Sequence, residues 1–96
     1  MPGYIIGQIQ QITNADGFGA YQAAAIPALA KYGGKLVLNG TKIGAGDGGW
    51  NPAGIVVVEF ESIGQAHKFY NSPEYQAVIG MRFDSAVSST IFIDVD

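Results

Sequence analysis

The stretch at residues 55–61, Ile-Val-Val-Val-Glu-Phe-Glu, is rich in β-branched residues and reads as a strand. Side chains alternate across a strand, so Val56, Val58 and Phe60 point one way and Ile55, Val57 and Glu59 the other. Both faces are largely apolar, and both need cover. Working outward, "GYIIGQIQQI" (3–12), "KLVLNG" (35–40) and "STIFIDV" (89–95) have the composition of three more strands.

Helical signals fill two of the gaps. Thr13 or Asn14 caps a helix whose stripe is Phe18, Tyr21, Ala25, Ala28, Leu29 and Tyr32; Pro27 lies opposite, and Gly33-Gly34 ends it. Ser62, with Gln65 three residues on, forms a capping-box pattern before Ile63, Ala66, Phe69 and Tyr70. Ser72-Pro73 opens another helical segment, for which a continuous helix clusters Tyr75, Val78, Ile79, Arg82 and Ala86 on one side. The order β-α-β-β-α-β predicts an α+β, ferredoxin-like domain spanning residues 1–96: a four-stranded antiparallel sheet with its helices on one face. Helices then cover one side of 55–61, and the other side calls for a second copy packed sheet to sheet.

Composition narrows the functional classes. The 96 residues include no cysteine and one histidine, which excludes thiol chemistry and argues against a protein-only metal site. A net charge of −3 disfavours a nucleic-acid partner, because phosphate binding needs clustered lysine and arginine. No apolar run reaches the about 18 residues of a membrane span, and no signal peptide is recognisable, so a cytoplasmic location is expected. Charged residues are only 14% of the chain against about 25% in ordinary soluble domains, which again favours self-association.

Two charges sit on apolar patterns. Arg82 falls within its helical stripe, and Glu59 follows Ile55 and Val57 on one strand face; each needs water, a partner or a ligand. If they converge, they make a polar site for a small, anionic molecule, with Tyr21, Tyr70 and Tyr75 as walls. In a catalytic version Glu59 moves a proton and Arg82 stabilises negative charge. His67, at the edge of its stripe, is a weaker candidate. "GAGDGGW" (44–50) lacks the lysine and hydroxyl of a phosphate loop and precedes a strand, so it reads as a hairpin whose Trp50 closes over either a pocket or a partner.

The successive segments "YQAAAIPALAKYGGK", "GIVVVEFES" and "FYNSPEYQ", followed by an arginine, resemble the uncharacterised domain family numbered thirteen-thirty, of the dimeric α/β-barrel superfamily. The resemblance covers nearly the whole chain and implies ferredoxin-like subunits that pair through their sheets into a barrel. It matches at Tyr21, Pro27, Gly33, Gly34, Glu59, Phe60, Tyr70, Ser72, Pro73, Tyr75 and Arg82 but not at His67, and Lys35 stands where many relatives carry arginine. The wider superfamily includes cofactor-free monooxygenases, lactone isomerases, haem-binding enzymes and ligand sensors; a haem would need His67 as its axial ligand, and nothing else in the sequence supports one. The expectation is therefore a homodimer that binds a small organic molecule without a cofactor. It acts either as a cofactor-independent enzyme or as a non-catalytic regulatory or stress-related module.

Overall fold

A computed structural model describes residues 1–95. The elements are β1 (Gly3–Ile12), α1 (Ala15–Lys31), β2 (Lys35–Gly40), β3 (Gly54–Phe60), α2 (Ile63–Tyr70), α3 (Pro73–Gln76), α4 (Ile79–Ser85) and β4 (Ala86–Asp94). The four strands form one antiparallel sheet in the order β2-β3-β1-β4, the ferredoxin-like arrangement. Principal extents of 32 × 32 × 16 Å describe a slab of two layers, one of sheet and one of helices.

Local chemistry sets the boundaries. Asn14 caps α1 by accepting from the Gly17 N–H at 3.0 Å, and Gly33, at φ 76°, turns the chain out of the helix. Ser62 caps α2 by accepting from the Gln65 N–H, but Gln65 does not reach back as a capping box would. Its side-chain amide instead donates to the Tyr32 carbonyl at 2.8 Å, tying α2 to the end of α1. Ser72 both accepts from the Tyr75 N–H and donates to the Phe69 carbonyl, so α3 is fastened to α2.

The helix expected after Pro73 is not continuous. It breaks at Ala77-Val78, where the Val78 N–H bonds to the Tyr75 carbonyl three residues back, and α4 starts with no side-chain cap. Val78, Ile79 and Gly80 are weak helix formers. Ala86 is the first residue of β4, three positions before the expected strand start.

Phe60 is 1% exposed and packs with Ile5, Ala28, Ala66, Phe69, Tyr75 and Ile79, which identifies the helix-covered face. A second, smaller cluster of Ile9, Phe18 and Ala86 lies at the other end of α1, and Tyr21 packs against both. Gly3 sits where α2 begins against β1: a Cβ there would lie 2.5 Å from the Ile63 Cα and 2.7 Å from the Ser62 carbonyl carbon.

The opposite face carries no helix. Register aligns Leu38, Val57, Ile6 and Ile91 in a row across all four strands, and Leu38 and Ile91 are about half exposed. Beside that row the Tyr4 hydroxyl donates to Glu59 at 2.7 Å. Trp50, from the long β2–β3 connection, donates its indole N–H to Gln8 on this same face.

Gly3→Ala should destabilise the fold by about 1–3 kcal/mol, because the added methyl meets backbone that cannot rotate away. Gly19→Ala, where a Cβ meets nothing within 4 Å on α1, should instead stabilise by about 0.5–1 kcal/mol. Urea denaturation midpoints of the two variants check both signs.

Glu74 bonds to Lys31 and to the Tyr32 hydroxyl, joining α3 to α1. The Lys31 ammonium, a backbone N–H and the Tyr32 hydroxyl hold its carboxyl down at about 2. A pKa lowered by folding means that the unfolded chain takes up the proton first, so the contribution is present above about 4.5 and fades as pH falls toward 2. Denaturation at a series of pH values should show wild type above Glu74→Gln at neutrality and the two converging across that window.

Candidate functional site

A cleft of about 360 Å³ lies between the helix layer and the covered face of the sheet. That is within the about 300–1,000 Å³ typical of small-molecule sites. Its origin is local. α1 touches the sheet at both ends, through Phe18 on Ile9 and through Ala28 toward Phe60, while its middle offers the small Ala25 to a floor where Gly7 has no side chain. A Cβ on Gly7 would meet its nearest neighbours, on Val56 and Thr90, at 3.9–4.0 Å, an ordinary contact, so the glycine leaves room at the cleft floor that no side chain takes up.

The cleft has a wet end and a dry end. Gln22, Ile26, Leu36 and Asn39 line it and are solvent-exposed, forming a mouth between α1 and the edge strand β2. Ile5, Phe69, Tyr75 and Arg82 are buried lining residues at the inner end. Tyr75 packs its ring on Phe69 at 4.7 Å and on Tyr70 at 5.4 Å between centroids.

Polar chemistry at the inner end is a chain of three groups. The Tyr21 and Tyr75 hydroxyls share a hydrogen bond of 2.7 Å, and the Arg82 Nη1 donates to the Tyr75 oxygen at 3.3 Å. Burial and the adjacent Tyr21 phenol push the Tyr75 phenol well above its ordinary range, against the opposing pull of Arg82, so it stays protonated. Arg82 is 6% exposed, and its buried Nε has no partner. Among the described residues the one salt bridge is Lys31–Glu74, so the guanidinium has no carboxylate.

The structure brings together Tyr21, Tyr70, Tyr75 and Arg82 and leaves Glu59 and His67 outside. Glu59 is on the open face of the sheet, bonded to Tyr4, because it alternates with Phe60, which faces the helices. The sequence leaves open whether Glu59 meets Arg82; the sheet separates them, so Glu59 is not a residue of this cleft. His67 is exposed on α2 and stacks on Phe92 at 4.1 Å between ring centroids, away from the cleft lining. Trp50 lies on the open face and not over the cleft. Among the described residues, no cluster of three or more histidine or acidic side chains could hold a metal ion, and no helix is long and apolar enough to cross a membrane.

Of the lining residues that the sequence does not single out, Gly7 and Asn39 are the most instructive. Gly7 could have been noticed as a glycine interrupting an otherwise β-branched strand, a pattern that marks close approach or open space. Asn39 was hidden by the register shift between Leu36 and Leu38, which puts both Leu36 and Asn39 on the cleft side.

The chain belongs to the family described as Domain of unknown function (DUF1330), which matches residues 2–95. No curated protein matches it in sequence. Among solved structures it is similar to a protein of unknown function from Rhodopseudomonas palustris, at 17% identity and a TM-score of 0.79 over 99% of this chain and 82% of that one. It is also similar to SnoaB, a cofactor-independent oxygenase from Streptomyces nogalater, at 7% identity and a TM-score of 0.70 over 99% and 93%. A dimeric ferredoxin-like protein of unknown function from Thermobifida fusca aligns at 14% identity and a TM-score of 0.60 over 99% and 92%. At these identities the likeness is one of fold.

A buried guanidinium with an unpartnered Nε costs the ligand-free fold. Arg82→Met, which keeps length and removes the charge, should raise the denaturation free energy by about 1 kcal/mol or more. A loss of stability in that variant would mean that Arg82 is a strut of the fold and not a group held for a ligand.

Proposed function

We propose that this protein is a homodimer, paired through the open face of its sheets, in which each subunit binds a small organic molecule in the cleft above Gly7. The observation that carries the binding reading is the buried Arg82, which lines an open apolar cleft and has no carboxylate partner among the described residues. Tyr70, Tyr75 and Tyr21 form the wall around it. Pairing is supported by the row Leu38-Val57-Ile6-Ile91, which one subunit leaves without cover, and by the dimeric description of the Thermobifida fusca neighbour. In such a dimer Trp50 and the Tyr4–Glu59 pair lie at the interface.

A cofactor-independent enzyme is the second reading. It is favoured by the protonated Tyr75 phenol between Tyr21 and Arg82, a donor aimed at developing negative charge, and by the oxygenase description of SnoaB. Against it, the described lining residues include no carboxylate and no imidazole to take a proton. Binding without turnover, in a regulatory or sensing role, needs none, and it is the reading preferred here.

Native mass spectrometry of freshly purified protein should show a dimer carrying up to two copies of a small molecule that is released on denaturation. A bare dimer under gentle conditions would count against a tightly held ligand. Sedimentation at micromolar concentration should give a dimer for the wild type and a monomer for Val57→Lys, which puts a charge in the middle of the apolar row. A monomeric wild type overturns the pairing.

A further inference from the structure

The geometry points to a singly charged carboxylate carried on an apolar body as the cleft's occupant, its carboxylate at Arg82 and Tyr75 and its body over Gly7. This rests on the binding reading above and adds the charge class and the direction in which the ligand lies. The argument is a count of donors. Tyr21 and Tyr75 have two hydroxyl hydrogens between them, and their shared hydrogen bond uses one. The Tyr75 oxygen already accepts from Arg82 Nη1, and no other hydrogen bond engages either hydroxyl among the described residues. One phenolic hydrogen is therefore left over, whichever tyrosine donates. The Arg82 Nε–H is a second surplus donor, buried and unpartnered.

A cleft end with two surplus donors, one of them on a cation, is complementary to a group that accepts from both. An ionised carboxylate is such a group, and its two oxygens match the planar edge of a guanidinium. The charge count sets its valence. Arg82 is the single ionic residue in the lining, so a dianion such as a phosphate monoester would bring a second charge that nothing there balances. The four lysines are elsewhere: Lys31 is paired to Glu74, Lys35 is exposed on the edge strand, and Lys42 and Lys68 are also exposed. The rest of the wall sets the body. Ile5, Ile9, Leu29, Val56, Val58 and Phe69 line it with hydrocarbon, and 2-naphthoate combines such a body with one carboxylate.

The test titrates 2-naphthoate and its uncharged amide, 2-naphthamide, into the full-length protein by calorimetry at neutral pH. The naphthoate is expected to bind, with the amide about 10- to 100-fold weaker, the difference made by a charge-assisted hydrogen bond. Arg82→Lys, which keeps the charge and loses the fork, should weaken naphthoate by about tenfold and the amide by less. Gly7→Leu, whose Cβ has room at 3.9–4.0 Å from its neighbours, puts a side chain into the floor and should abolish both; Ile26→Trp, at the exposed mouth, should weaken both and guards against a misfolded floor variant. Equal affinities for the two probes, both lost in Gly7→Leu, would overturn the carboxylate while leaving the cleft as a binding site. Affinities untouched by Gly7→Leu and Ile26→Trp would overturn the cleft itself. Failure of naphthoate to bind at millimolar concentration overturns the carboxylate proposal.

Discussion

A sheet covered on one face only is the constraint from which the remaining features follow. With helices on a single side, strand parity decides the fate of every side chain on β3. Phe60 goes into the core and its neighbour Glu59 goes to the open face. The same parity gathers Leu38, Val57, Ile6 and Ile91 into a row that one subunit cannot bury. The cover is also uneven. Bulk at the two ends of α1 props the helix off the sheet, and the middle of the sheet floor, at Gly7, sends nothing up to meet it.

The cleft and its charge belong to one compromise. Filling the space over Gly7 with a larger side chain would join the two core clusters, and a methionine at position 82 would remove a buried cation. Both changes are expected to favour the fold, and neither is present. Natural domains tolerate such local costs where a site requires them. The aromatic ring cluster of Phe69, Tyr70 and Tyr75, with the Ser72 fastening beneath it, holds the inner wall rigid and fixes where the guanidinium points.

The fold was legible because its signals are local. Asn14, Ser62 and Ser72 cap the helices where their side chains predict, and the β1 and β2 boundaries coincide with their apolar alternation. Tyr75 and Arg82 were grouped correctly on the premise of an unbroken helix. The break at Ala77-Val78 left their relation intact, since the guanidinium still reaches the phenol. The relation of Glu59 to Arg82 stayed open because two charges on apolar patterns look alike until the covered face is chosen. The large aromatic at Phe60 already made that choice, since the bulkier alternate goes inward. Asn39 was out of reach because a bulge shifts parity without a mark in composition, and Trp50 because a long glycine-rich connection has no periodicity to read.

The divided core has a consequence for how much of this protein a cell would hold. In a chain of 96 residues the margin between folded and unfolded is narrow, and an empty cleft is apolar surface that packs against nothing. Any molecule that binds the folded chain and not the unfolded one widens that margin, by about 2.7 kcal/mol when its concentration is a hundredfold above its dissociation constant. Proteases act on the unfolded fraction, so the steady-state amount of chain would rise with the supply of its occupant. Were the occupant proposed above a metabolite, the cleft above Gly7 would couple the lifetime of the polypeptide to it, without any residue having to react.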